Sequence, residues 1–303
     1  MSLIAAGAIA LAAGLDWLVR EPPASLHPVA WFGRLVEPLD RDWTLPRSVS
    51  FWIALLCPLA AGLAVGGVVA LGSLVHPVAG GALAGLALFA TTSLRMLLDE
   101  AAGVVAASGT DVAAARERLP ALAGRDAADL SAGHLRSAAV ESAAENLVDG
   151  LVAPLGAFAL LAPESLALAA GAAAWVKAVN TLDSMLGYPS KPHGWLSARL
   201  DDAVMWLPAR LSALLLTIVA RSPDPMLAAR RWADAPPSPN SGWPMGTVAS
   251  ALQVKLEKPG SYVLNGVASL PTVDDADRAI SLVGTAGLAA YGVAILWEVL
   301  VWA

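Results

Sequence analysis

Apolar and polar positions alternate along this chain in long blocks, with no strand-like period of two. From Phe51 to Val75 no charged residue occurs, and His76 and Pro77 close the run. A membrane-crossing helix needs roughly 20 apolar residues, so this block predicts one. A second run, Val78 to Leu94, follows at once and predicts a hairpin with a very short turn. Arg95 and Asp99 then stand at i, i+4, the spacing of a helical ion pair at the exit. Met1 to Val19 has the length and small residues of a signal peptide but lacks a basic start and runs on into Asp16 and Arg20. It reads as a retained first membrane segment. Leu151 to Val179 is apolar but interrupted by Pro163 and Glu164, as for a re-entrant hairpin or a pair of short tilted helices. Val204 to Ala220 carries Pro208 and Arg210 in its first half, and Ile280 to Ala303 predicts a last span.

Between these runs lie polar excursions, at 99–150 and 221–278 within a single domain of 303 residues, and an earlier one from Arg20 to Ser50. The earlier one holds Arg20, Arg34, Arg41 and Arg47; the next holds Arg116, Arg118, Arg125 and Arg136. By the positive-inside bias both are expected on the cytoplasmic face. The expected fold is all-α: a polytopic membrane protein with about five to seven embedded helical segments and amphipathic helices on the cytoplasmic side.

Composition agrees. Apolar residues make up 57% of the chain and charged ones 15%, with a net charge of -6. Soluble domains average about 45–50% apolar and about 25% charged. With no basic block or stacking-aromatic module, no nucleic-acid partner is expected. The single cysteine, Cys57, lies in an apolar run and allows no disulfide within the chain and no cysteine-based zinc site.

The densest polar stretch runs from Lys177 to Asp202. Lys177, Asn180, Thr181 and Ser184 fall on one helical face, with Asp183 beside it. Gly187, Tyr188, Pro189 and Pro192 break that helix, and Arg199, Asp202 and Trp206 line the next. For Asp183, Asp201 and Asp202, capping or pairing with Arg199 stands at least level with metal binding; for Lys177 the plain role is snorkelling to headgroups. Upstream, His134, Glu141, Glu145 and Asp149 form a second stripe. Two glutamates at i, i+4 repel, so a cation is expected to face them. A hard ion such as Mg²⁺, shared with substrate phosphates, suits that pattern as well as a solvated acidic face does.

Smaller signals have plain readings too. Asp274, Asp275 and Asp277 read as first-turn residues of a helix. SPNSGWP, from Ser238 to Pro244, reads as a turn opening a helix whose N-terminus can take an anion. Trp195 and Trp243 suit an interfacial belt or a flat apolar ligand site. His27 reads as a loop histidine, and Glu298 as interfacial. A P-loop, a Gly-x-Ser-x-Gly elbow and an HExxH pair are all absent.

Taken jointly and in order, several blocks resemble the adenosylcobinamide-phosphate synthase family (CobD/CbiB) of cobalamin biosynthesis. They are Asp16 to Leu35 with its His27, ESAAENLVDGLVAPL from Glu141, KAVNTLDSMLGY from Lys177, GWLSARLDD from Gly194, Pro208 to Arg210, and SPNSGWP. The resemblance implies an integral membrane ligase of the cell membrane with its site on the cytoplasmic face. It would join adenosylcobyric acid to (R)-1-aminopropan-2-yl phosphate or aminopropanol, consuming ATP and Mg²⁺ with no tightly bound cofactor. Catalytic roles would fall to Glu141, Glu145, Asp183 and Lys177. Asn146, Asn180, Arg199, Arg210, Asn240, Trp195, Trp243 and His27 would bind substrate or phosphate. Asp183, Asp201, Asp202 and Glu145 would hold Mg²⁺. The partners implied are the corrinoid, the amine and membrane lipid, with a homo-oligomer or a complex of corrinoid enzymes left open. Two positions depart from the family pattern: Glu21 stands where an aspartate is usual, and Met245 where an acidic residue is common. A small-molecule transporter and a non-catalytic sensor, similar to the ampicillin-resistance signalling protein, are the alternatives. Polarity concentrated outside the apolar runs tells against the first, and the polar blocks after Val140 and Lys177 against the second.

Overall fold

The computed structural model describes residues 2–40, 47–188, 191, 194–222 and 224–301; Arg41, Pro189 and Pro192, named above, lie outside them. The chain is helical almost throughout. In order, the helices are α1 Ser2–Val19, α2 Pro28–Val36, α3 Arg47–Val75, α4 Pro77–Thr91, α5 Leu94–Thr110, α6 Val112–Arg118 and α7 Ala132–Leu147. After a π turn at Val148–Val152 come α8 Ala153–Leu161, α9 Leu166–Leu186, α10 Trp195–Val204, α11 Trp206–Val219, α12 Asp224–Ala229 and α13 Gly242–Ala251. A two-stranded hairpin, β1 Leu256–Lys258 and β2 Tyr262–Leu264, precedes α14 Val273–Leu300.

Among the described residues, four helical stretches are long and apolar enough to cross a membrane, and a fifth if the bent pair α10 and α11 is one span. A shorter apolar helix covers Leu3–Val19. The expected all-α membrane architecture is therefore what the chain adopts. Running from the excursion at 99–150 into the apolar run after it, Ala132–Leu161 is a 30-residue stretch that meets the length and hydropathy of a span. The apolar run after Leu151 supplies most of that hydropathy, and Glu141 is buried in the first half of the stretch.

Local chemistry sets the helix starts. His27 and His76 each precede Pro and Val, and each Nδ1 accepts the backbone N–H two residues on, at 3.2 Å. Proline at the first helical position needs no N–H partner, so His-Pro-Val serves as the same start signal for α2 and α4. Asp111 caps α6 through Ala113 and Ala114 N–H at 3.0 and 3.1 Å. Thr272 and Asp275 cap α14 reciprocally, which is the capping role expected of that acidic cluster.

By its contacts the chain divides into two compact units, one of residues 1–93, 149–205 and 291–303, the other of residues 94–148 and 206–290. In the first, α3 lies against α9 through small residues. A Cβ added to Gly62 would stand 2.8 Å from the carbonyl of Gly171, and one on Gly66 would stand 2.9 Å from that of Ala167. Only glycine permits this approach, the packing that lipid-embedded helices use where no hydrophobic force draws them together. Gly85 makes the same allowance for α1, 2.8 Å from the carbonyl of Ala8. In the second unit the hairpin pairs Leu256 with Leu264 and Lys258 with Tyr262, and Gly260 turns it with φ of 74°.

Candidate functional site

In the first unit, α9 projects Lys177 and Asn180 toward residues of two other elements. The Lys177 ammonium lies 3.4 Å from the Asp149 carbonyl in the π turn. The Asn180 amide lies 3.5 Å from the Asp201 carboxylate on α10. Asp149, Asp183 and Asp202 are close enough for their charges to act on Asp201, and Glu21, Asp149 and Asp201 act on Lys177. Two aspartates and a glutamate thus act on one lysine, and Asp183 and Asp202 extend the carboxylate cluster at Asp201. The polar face predicted for 177–202 is assembled as a cluster, though two of its members turn inward. Thr181 and Ser184 donate to the carbonyls of Lys177 and Asn180 at 2.8 and 2.9 Å, satisfying their own helix.

His27 borders this cluster in its capping role, with Nε2 3.5 Å from Glu21. A cavity of about 530 Å³ opens beside Lys177 and Thr181, its remaining wall almost wholly apolar and including Pro28, Trp31, Phe32 and Val65. Trp195 and Arg199 are exposed on α10. Glu298 is fully buried in α14, and neither carboxylate oxygen has a partner among the described residues.

In the second unit, Glu141 accepts from Ser137 Oγ at 2.7 Å, Arg125 Nη2 at 2.8 Å and Tyr262 Oη at 2.8 Å. The cation expected opposite this carboxylate is Arg125. Burial and then the neighbouring Glu141 push the Tyr262 phenol well above its ordinary range, so it stays a donor. Burial disfavours the Arg125 charge, but Glu141 more than offsets it, and the net shift is upward. Ser137 also receives the Glu257 backbone N–H at 2.7 Å, so the hairpin is tied to α7 through hydrogen bonds from both of its strands. Asn146 spends its amide on the Ser142 carbonyl at 3.0 Å, while Glu145 is half-buried on the same helix.

Also in the second unit, Arg210, Asn240 and Trp243 come together. The Arg210 guanidinium lies over the Trp206 ring at 4.4 Å and the Trp243 ring at 5.0 Å. Its Nη1 donates to Trp206 O at 2.7 Å and to Asn240 Oδ1 at 3.0 Å.

Among the described residues no group of three or more His, Cys, Asp or Glu forms a ligand set for a metal ion. Asp183, Asp201, Asp202 and Glu145 therefore do not make a protein-only cage. The carboxylates around Lys177 are hard oxygen donors in mutual electrostatic reach, which suits Mg²⁺ held by one or two of them together with phosphate oxygens.

Three important residues escaped the pattern reading. Helical spacing puts Asp149 on the Glu141 stripe, but the π turn inserts an extra residue into that face and delivers it to Lys177. Arg125 and Tyr262 stand 16 and 121 residues from Glu141, and no periodicity registers such contacts.

Comparison with known proteins bears on the whole chain. Residues 9–286 match the family described as CobD/Cbib protein. The probable cobalamin biosynthesis protein CobD of Methanothrix thermoacetophila is 38% identical over 293 residues, covering 91% of each chain. Cobalamin biosynthesis protein CobD of Klebsiella pneumoniae is 37% identical over 284 residues, 88% of this chain and 86% of its own. Cobalamin biosynthesis protein CbiB of Salmonella typhimurium is 36% identical over 287 residues, with the same coverages of 88% and 86%. No solved structure matches. With the family match spanning residues 9–286, the chain belongs to the CobD/CbiB family of cobalamin biosynthesis proteins.

Proposed function

We propose that the chain is an ATP-dependent amide ligase that joins adenosylcobyric acid to (R)-1-aminopropan-2-yl phosphate, or to aminopropanol, giving adenosylcobinamide phosphate or adenosylcobinamide. The observation that carries this reading is the cluster of carboxylates around Lys177 in the first unit. It offers proton acceptors and a single cation, the two things that activated amide formation needs from a protein.

A carboxylate does not condense with an amine directly, because hydroxide is too poor a leaving group. Activation solves this: a propionate oxygen of the corrinoid attacks the γ-phosphorus of ATP, the P–O bond to ADP breaks, and an acyl phosphate forms. The amine nitrogen then attacks the acyl carbon, the C–O bond to phosphate breaks, and the nitrogen loses a proton. Asp183 and Asp201 are assigned to receive it. Lys177 would stabilise negative charge developing on the transferred phosphoryl group. Mg²⁺, held by one or two of Asp149, Asp183, Asp201 and Asp202, would neutralise the nucleotide phosphates. Asn180, already bonded to Asp201, keeps that carboxylate oriented. Arginines in the segments before α3 and between α5 and α7 support a site on the cytoplasmic side of the cell membrane, where ATP is available.

The test is direct. Detergent-purified protein incubated with adenosylcobyric acid, the amine phosphate and Mg-ATP should yield an amide of the corrinoid by mass spectrometry, with ADP released in equal amount. Corrinoid binding without ATP-dependent amide would refute the ligase reading.

A further inference from the structure

The cavity in the first unit is shaped by one spacing repeated on three helices. To its wall α3 contributes Ala61, Ala64, Val65 and Val68, at i, i+3, i+4 and i+7. The same spacing starts at Leu83 on α4 and at Ala174 on α9. Each helix thus turns one stripe, roughly 10 Å long, toward a shared space. Six of these twelve residues are alanine, and facing stripes that short leave a gap between the helices instead of closing it. The result is a slot of about 530 Å³ that runs along the helices, walled further by α2.

The wall has little to offer a polar guest. Only Trp31, Thr91, Lys177 and Thr181 bring polar side chains to it, and each is already engaged. Trp31 Nε1 donates to the Ser25 carbonyl, Thr91 Oγ1 to that of Leu88 and Thr181 Oγ1 to that of Lys177, all at 2.8 Å, while the Lys177 ammonium turns to the Asp149 carbonyl. A polar molecule would leave its own donors and acceptors unpaired there. An apolar cavity of about 150 Å³ already stays dry and takes benzene; an elongated one more than three times that size suits a hydrocarbon chain. The opening faces a medium that supplies such chains. Val68 and Leu86, both on the wall, are 55% and 47% exposed, and both belong to stretches long and apolar enough to cross a membrane. Only 22% of the α3 stretch is covered by the rest of the protein. We propose that the slot between α2, α3, α4 and α9 binds one acyl chain of a membrane phospholipid, which enters sideways from the bilayer past Val68 and Leu86. Chains in a bilayer already lie along the spanning helices, so little freedom is lost on entry. The proposal holds whether or not the chain is a ligase.

The full-length protein would be held in phosphatidylcholine vesicles, part of the lipid carrying a diazirine midway along one acyl chain, then extracted into detergent, washed and irradiated. Labelled residues are located by mass spectrometry. Label surviving the wash is expected on the slot stripes of α3 and α4. It should be absent from Leu63, which is 67% exposed on the opposite face of α3. Ala64→Phe and Ala87→Phe each push a ring into the slot, from different helices, and each is checked for a monodisperse elution profile. Displacing two methylenes from an apolar site corresponds to a loss of about tenfold in retained label. Leu63→Phe, which adds a ring outside the slot, should retain the wild-type amount. Slot label that falls in a filled variant and survives in Leu63→Phe supports the acyl chain. A wild-type protein without label in the slot, or filled variants labelled there as strongly as wild type, would overturn it. So would label driven out by an equimolar amount of adenosylcobyric acid, because the slot would then belong to the corrinoid.

Discussion

Glu141 and Lys177 each face opposite charge, yet the bonding around them differs. The Glu141 carboxylate takes three donors at 2.7 to 2.8 Å, from a serine, an arginine and a tyrosine. Around Lys177 the polar contacts are long, 3.4 and 3.5 Å, and acids outnumber the single base. A carboxylate with its donors in place has nothing left to offer a substrate and holds its surroundings together. A cluster with excess like charge and loose contacts is costly to keep, and such cost is met where reactive groups are required. Tight bonding around Glu141 therefore argues for architecture, and loose bonding around Lys177 for chemistry.

The largest effect is expected from breaking the tight network. Glu141→Ala would leave Arg125 buried with its charge uncompensated, a loss of about 3–5 kcal/mol. Thermal unfolding in detergent should show a strongly lowered midpoint, with activity falling only because the fold does. A variant that unfolds like wild type and yet is inactive would move Glu141 into the catalytic group.

The opposite outcome is expected at Asp183. Replacing it by Asn removes one like charge from beside Asp202, so stability should hold or rise. Turnover should fall by about 10²–10⁴, the usual contribution of a positioned proton acceptor. Steady-state rates and melting curves on one preparation would check both halves. Full turnover in Asp183→Asn would end its catalytic assignment.

Tyr262→Phe sharpens the comparison without removing charge. It takes one donor from the Glu141 carboxylate and leaves two, at a cost of about 1.5–3 kcal/mol. Amide exchange should quicken across β1 and β2 before it does in α7, because this phenol is the tie of β2 to the Glu141 carboxylate on that helix.

These two regions were unequally legible in the sequence. The helical membrane class follows from apolar blocks, a property of composition that survives any detail of packing. The α9 face was readable because Lys177, Asn180 and Asp183 belong to one helix, where spacing and geometry coincide. Family resemblance brought in Arg210, Asn240 and Trp243, which no local pattern joins. The Glu141 stripe failed in an instructive way. Its helical spacing is real, but the π turn after Leu147 sends Asp149 to Lys177, while Glu141 is met by residues from a distant loop and a hairpin. Thr181 and Ser184 matched the stripe as well, and were lost to backbone carbonyls that a hydroxyl on a helix always has within reach.

The smallest effect should come from Glu257, at the edge of the tight region. Its carboxylate meets Lys255 at 2.8 Å and His134 at 3.6 Å, both near solvent, and Lys255 chiefly holds it below the ordinary carboxylate value of 4.5. A folded-state value lower than the unfolded one means the unfolded chain binds the proton more readily. The stabilisation is therefore present above that ordinary value and fades as pH falls through the lower, folded one. Glu257→Gln should cost no more than about 1 kcal/mol at neutral pH, as exposed pairs do, and its melting curve should converge with wild type in acid. The Glu257 backbone bond to Ser137 is untouched by this change, so hairpin exchange should stay at the wild-type rate. If Glu257→Gln loosened the hairpin as much as Tyr262→Phe, the side-chain pairs at the surface would be carrying what the buried carboxylate is argued to carry, and the distinction between tight and loose regions would lose its physical basis.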